Sequence, residues 1–156
     1  MTLINIQNPH IGTGLDLPEA VQLTTEIEAL GHLYAKCPKA DQTPLHSIDT
    51  NAAQIGIGAL YVKDERTRMG LGSFKALGAA SVIATIAQDR AQNGVYENVL
   101  SDMTFVTASA GNHGLSVVAG ANAFGAKAVI FLAETVPVSF QEKLSSIGAE
   151  VVVEGV

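Results

Sequence analysis

Cysteine is almost absent: Cys37 is the one thiol in 156 residues. A single cysteine cannot close an internal disulfide, and without a CxxC partner it cannot begin a thiolate metal site, so a reducing, cytoplasmic compartment is expected. Its ordinary role is that of a half-buried structural thiol. Charge is scarce as well. Asp, Glu, Lys and Arg make up 15% of the residues, and the formal net charge is −6 with both signs scattered. That leaves no basic stripe for a phosphate backbone, so nucleic acid is not expected as a partner. His10, His32 and His46 lack metal-ligand spacing, and no metal is assigned. The opening stretch MTLINIQNPHIGTGLDLPEA has neither the basic start nor the apolar centre of a secretory signal. The uncharged run Ala76 to Gln88 is too short for a bilayer and is interrupted by Gly78, Ser81 and Thr85, so no membrane role follows.

What the chain does contain is apolar substance. Hydrophobic residues are 47% of the total, which suits a packed globular interior rather than a disordered segment. Residues 1–40 read as an irregular lead-in, rich in Gly and Pro over its first half, followed by a short amphipathic helix from Thr25 to Lys36 that Pro38 stops. Residues 41–156 form the folded unit. KADQTPLHSIDT reads as a loop around Pro44, and a strand follows near Leu60 to Lys63. The glycine-rich turn after it leads into a helix from about Lys75 to Asn93.

The second half is more regular. MTFVTASAG ends a β-branched strand in small residues, NHGLSVVAGANAFG is a helix closed by Gly125, and AKAVIFLAE is a strand. VSFQEKLSSIG is a helix closed by Gly148, and AEVVVEG a further strand. Strand, helix, strand, helix, strand with short connections predicts an α/β fold, with a parallel sheet built from βαβ units.

Such sheets bind ligands beyond the carboxyl ends of their strands, where helix N-termini attract anions. The tightest turn there is TASAGNHG, Thr107 to Gly114. Gly111 and Gly114 permit close backbone approach, and Asn112 is placed to cap the helix or to hydrogen-bond outward. Two readings compete. In a dinucleotide fold the glycines hold a pyrophosphate and Glu134, about 20 residues on, holds a ribose hydroxyl. The pattern is GxxG, however, without the first glycine of that fingerprint.

The second reading starts from GLGSFKALG, Gly70 to Gly78, in which Lys75 stands alone: the next charged residues are Asp89, Arg90 and Glu97. A lysine so placed is a snorkelling surface residue or a nucleophile. Pyridoxal phosphate asks for such an amine, because its aldehyde forms a Schiff base and its ring then takes up the electrons of a carbanion at a substrate's Cα. The amine must be neutral to react, which favours a desolvated, charge-poor setting of the kind the local sequence suggests. Asp64, Glu65, Arg66 and Arg68 read as a solvated charged turn supporting the lysine loop.

LYVKDERTRMGLGSFKALGAA resembles the Schiff-base lysine segment of fold-type II pyridoxal-phosphate enzymes, the tryptophan synthase β-like superfamily, and TASAGNHG resembles their asparagine loop. TPLH, LAETVP and GAEVVVEG follow in the order that family shows. Within it the spelling is most similar to diaminopropionate ammonia-lyases, with serine/threonine dehydratases next. The resemblance implies that Lys75 holds the cofactor and moves the Cα proton. It implies too that Asn112 donates to the cofactor's 3-hydroxyl and that Phe74 packs beside the ring. Ser109, Ala110, Gly111 and His113, with Asn112, would meet the substrate carboxylate. The implied reaction is α,β-elimination of ammonia from a small amino acid, carried out by a homodimer.

Two departures qualify this. Where the ammonia-lyases carry an aspartate that can act on a D-isomer, this chain has Ala110, the dehydratase spelling. The family's catalytic chains are also much longer, and its phosphate loop and pyridine-nitrogen partner lie past VVVEGV. The sequence therefore reads as the N-terminal half of such an enzyme, inactive alone. A dehydratase-like enzyme, or a non-catalytic half-fold that binds a partner, are the alternatives.

Overall fold

The computed structural model describes residues 28–155. The expected lead-in over residues 1–20, and the first residues of the helix expected from Thr25, lie outside the described residues. What is described of that helix, α1, spans Glu28–Ala35 and ends short of Pro38. The Tyr34 hydroxyl donates to the carbonyl of Leu77, which ties α1 to the long helix α3, Lys75–Arg90.

The segment read as a loop around Pro44 is ordered into regular structure. Strand β1, Leu45–Ser47, pairs antiparallel with β2, Tyr61–Lys63, in the register Leu45↔Lys63, His46↔Val62 and Ser47↔Tyr61. Between them lies helix α2, Asp49–Ile55, closed by left-handed Gly56 at φ 72°. Three-residue strands and a seven-residue helix carry too little periodicity to stand out from a sequence. Their pairing partner, not their propensity, makes them.

The expected parallel sheet is present, in the order β3–β4–β5. Strand β3 is Thr104–Ala108, β4 is Lys127–Leu132 and β5 is Glu150–Val153. Thr104 faces Lys127 and Ala108 faces Phe131, while Val129 faces Glu150 and Leu132 faces Val153. Helix α4, Asn112–Ala123, links β3 to β4, and helix α5, Val138–Ser146, links β4 to β5. The strand burial alternates as a one-sided helical layer requires: Ala128, Ile130 and Leu132 are buried, whereas Lys127 is exposed and Val129 and Phe131 are half-exposed.

Helix α4 is the centre of the fold. Gly114 to Val118, Gly120 and Ala121 are all buried, because the helix lies between the sheet and α3. Leu115, Val118 and Ala121 join Ile83 and Ala87 of α3, Ile130 and Leu132 of β4, and Leu144 of α5 in one cluster. A helix buried on so many sides has little amphipathic stripe, and small residues let its neighbours approach. At Gly120 a Cβ would lie 2.9 Å from Ile83 Cδ1 and 3.3 Å from Ala80 Cα, so α3 and α4 touch almost backbone to backbone.

Helix α3 stops at Arg90, three residues before the expected Asn93, because Ala91 turns extended and Asn93 adopts φ 54°. Gly125 and Gly148 close α4 and α5 as expected, at φ 77° and 92°. The Asn122 carboxamide donates to the Ile147 carbonyl at 2.5 Å and joins these two ends. Cys37 is half-buried, as expected of a structural thiol. Among the described residues no helix is long and apolar enough to cross a membrane.

Candidate active site

The α3–α4 contact decides where the site lies. Helices α3 and α4 touch at Gly120, and residues at their starts, Ser73 and Phe74 before Lys75 and Asn112 on α4, line one cleft, so the two helices begin at the same end. An open cleft of about 500 Å³ occupies that end. Phe74 and Ser73 line it from the α3 side, Asn112 from α4, and His46, Val62, Asp64 and Arg66 from the β1–β2 pair and the turn after it. It sits beyond the carboxyl end of β3, where a parallel sheet presents its ligands.

Lys75 is the first residue of α3. The buried Ser73 hydroxyl accepts its backbone N–H at 3.2 Å, a local cap that starts the helix there. Its side chain is exposed and is not among the residues that line the cleft, in contrast to the desolvated setting expected. The physical reason is that small residues around Lys75 remove charge from its neighbourhood but supply no cover. Phe74, next to it, is 62% exposed with its ring open to the cleft.

The start of α4 removes one of the two roles open to Asn112. Asn112 does not cap the helix: Gly111 holds the N-cap position, without a side-chain cap bond. The hydroxyl of Ser109 takes over, accepting the Gly114 N–H at 3.1 Å. This requires the loop to fold back so tightly that a Cβ on Gly114 would lie 2.9 Å from the Ser109 carbonyl. The Asn112 carboxamide is thereby released from backbone duty, and Asn112 lines the cleft. The two glycines also differ. Gly114 is demanded by packing, whereas a Cβ on Gly111 would meet nothing within 4 Å, so the space over its backbone is open to a ligand. Ala110 and His113 are exposed and Ser109 is half-buried. Glu134 lies apart, exposed past the end of β4, with its N–H on the Gly155 carbonyl at 3.0 Å.

The charged turn is solvated at Arg66, whose side chain is 88% exposed, but Glu65 and Arg68 are held in a covered network. Arg68 is 11% exposed and Glu65 16%. Arg68 Nε donates to Glu65 Oε2 at 2.6 Å, and Nη2 donates to Glu65 Oε1 and to Thr43 Oγ1, both at 2.8 Å. The buried Thr43 hydroxyl donates to Glu65 Oε1 at 2.5 Å, and Lys63 Nζ donates to the Thr43 carbonyl. The Arg68 hydrogen bond, then that of Thr43, push the Glu65 carboxyl down to about 2. Hydrogen bonds from the Arg66 side chain and backbone hold Asp64 well below the usual carboxylate range. Thr43 and His46 lie in the quoted TPLH and Ser73 in GLGSFKALG, but the sequence does not assign their individual places at the site.

These residues fit pyridoxal phosphate in part. An amine on Lys75, a free carboxamide on Asn112, an aromatic face on Phe74 and room over Gly111 are the donor and packing groups that an aromatic aldehyde cofactor uses. Among the described residues no group of His, Cys, Asp and Glu could hold a metal ion.

Residues 38–155 match the family described as "Pyridoxal-phosphate dependent enzyme". Diaminopropionate ammonia-lyase of Salmonella typhimurium is 30% identical over 129 residues, which cover 75% of this chain and 32% of that protein. L-threonine ammonia-lyase of Thermotoga maritima is 36% identical over 98 residues, 63% of this chain and 22% of that one. The crystal structure of Escherichia coli diaminopropionate ammonia lyase in apo form is similar with a TM-score of 0.68 at 29% identity, over 81% of this chain and 38% of that one. The chain thus spans about a third or less of the length of the curated relatives it matches.

Proposed function

The chain belongs to the family of pyridoxal-phosphate dependent enzymes, and from that premise we propose that it carries the lysine and asparagine half of an ammonia-lyase site acting on a small amino acid. One observation carries the reading: the first residues of α3 and α4, Lys75 and Asn112, come to the same end of the fold beside one cleft. When bound, pyridoxal phosphate supplies an electron sink for negative charge at the substrate's Cα.

The chain's own residues then divide the remaining tasks. Lys75 Nζ holds the cofactor and afterwards moves the Cα proton, a role for which its exposed position leaves it free to swing. The Asn112 carboxamide orients the cofactor ring by donating a hydrogen bond, and Phe74 covers one side of it. The unpaired backbone N–H groups at the start of α4, strengthened by the helix dipole, receive the substrate carboxylate over Gly111. The proton that Lys75 takes from Cα is available for the departing amine at Cβ, and the resulting enamine hydrolyses to a 2-oxo acid and ammonia.

Ala110 bears on stereochemistry. It stands exposed in the loop before α4 and offers no proton acceptor. Lys75 is the base on its own side of the Cα, so the reading favours L-amino acids, L-serine and L-threonine as well as L-diaminopropionate. The half-buried thiol of Cys37 suits a reducing compartment.

Borohydride reduction of the protein with pyridoxal phosphate, followed by peptide mapping, tests the assignment. Label on Lys75 supports it. Label on Lys63 or Lys127 instead would overturn it.

A further inference from the structure

Resting on that reading of Lys75, we propose that Arg68 is a positioning residue for the lysine, holding the segment Met69–Phe74 at a fixed distance from the β1–β2 pair through its guanidinium fork.

The segment has little to hold it by itself. Met69, Gly70 and Gly72 are all left-handed, at φ 51°, 71° and 76°, and Met69 pays a steric penalty for that conformation that glycine does not. Its backbone hydrogen bonds are short-range: Gly70 N–H to the Thr67 carbonyl at 3.2 Å and Leu71 N–H to the Arg68 carbonyl at 2.9 Å. Beyond it, Ser73 and Phe74 are bonded only into the first turn of α3. Neither sheet supplies a rung to these amides.

Two anchors flank it. Downstream, α3 is fixed against α4 at Gly120. Upstream the anchor is Arg68, whose planar fork engages three chain positions at once: both oxygens of Glu65, the hydroxyl of Thr43, and the carbonyl of Asp41 at 2.8 Å from Nη1. Residues 41–43 run directly into β1, and Lys63 at the end of β2 binds Thr43 from the other side. The fork therefore ties the lysine loop to a segment far away in sequence. A lysine at position 68 would keep the charge but could not satisfy these acceptors together, because a point charge lacks the fork.

The depressed Glu65 carboxyl agrees with this arrangement, since an ionised acceptor strengthens the bonds that hold Arg68.

The test compares wild type, R68A and R68K in the full chain by hydrogen exchange without cofactor, and by borohydride trapping of added pyridoxal phosphate. In R68A, amides 70–77 should exchange at least tenfold faster while amides of β3, β4 and β5 stay within twofold of wild type, and trapping at Lys75 should slow about tenfold. R68K should recover only part of both. If R68A does not fold, E65Q keeps one acceptor oxygen but loses the second acceptor and the paired anion, and should give the same local pattern in weaker form. Unchanged exchange over 70–77, an equal rise in the sheet, or full recovery in R68K would each overturn the proposal. If wild type takes no label on Lys75, the cofactor reading fails and the exchange data alone decide the role of Arg68.

Discussion

Replacing Gly120 by alanine probes the contact that brings the two helix starts together. The added methyl would sit 2.9 Å from Ile83 Cδ1 and 3.3 Å from Ala80 Cα. The first neighbour is the end of a side chain, but Ile83 is 3% exposed within the core, so it cannot swing into solvent. The second is backbone and can yield only if α3 moves as a body. Overpacking of this kind costs about 1–3 kcal/mol. Alanine also recovers about 0.5–1 kcal/mol of helix propensity relative to glycine. The difference leaves a destabilisation of about 1 kcal/mol, a fall in Tm of about 2–4 °C for a protein of this size class. Ile83→Val removes Cδ1, the atom in the way, and by itself costs about 0.5–1.5 kcal/mol. In that background Gly120→Ala should cost clearly less, because the 2.9 Å contact is gone, only the 3.3 Å approach to Ala80 Cα remains, and the propensity gain is kept. Urea denaturation of all four proteins measures the coupling, expected at about 1–2 kcal/mol in favour of the pair. Equal costs in both backgrounds, or a raised Tm with Ile83 intact, would refute the claim that the helices meet at Gly120.

Four further outcomes follow from particular contacts. Leu144 of α5 is fully buried, so Leu144→Ala should cost about 2–5 kcal/mol in the same denaturation assay. Gly114→Ala must push a methyl against the Ser109 carbonyl at 2.9 Å, and should cost about 1–3 kcal/mol while shifting the amide resonances of residues 109–114. The Glu65 carboxyl falls from an ordinary 4.5 to about 2 in the folded chain, so its contribution is complete above about pH 4.5 and is lost as pH falls toward 2; Tm measured between pH 5 and 2 should drop less steeply for Glu65→Gln than for wild type. On the proposed reading, an enzyme that completes this site, with Ala110 offering no second base, should release ammonia far faster from L-serine, L-threonine or L-diaminopropionate than from their D-isomers, and equal rates would show that another residue serves the opposite side.

Much of this protein could be read without its structure, wherever one residue's role depends on close neighbours in the chain. The β-branched run ending in small residues at Ala108, and the left-handed glycines after α4 and α5, mark β3, β4, β5 and the helices between them, because strand pleat, helix period and glycine's freedom at positive φ are local properties. The isolation of Lys75 and the shortness of the side chains before Asn112 were visible in the same way. Tertiary structure decided the rest. Three-residue strands exist only because β1 finds β2 across α2, a pairing that no window on the sequence contains. The cap of α4 fell to Ser109 rather than Asn112 because the loop folds back over Gly114, and that choice leaves the carboxamide without a backbone partner. Lys75 is exposed because uncharged neighbours in sequence are not the same as cover in space. The charges of KDERTR look solvated in a row, yet Arg68 and Glu65 are mostly covered, since their partner Thr43 approaches from a different part of the chain. Hydrogen bonds between distant segments depend on where the folded backbone carries their ends, and that position is set by the packing of α3 on α4 and of α4 on the sheet.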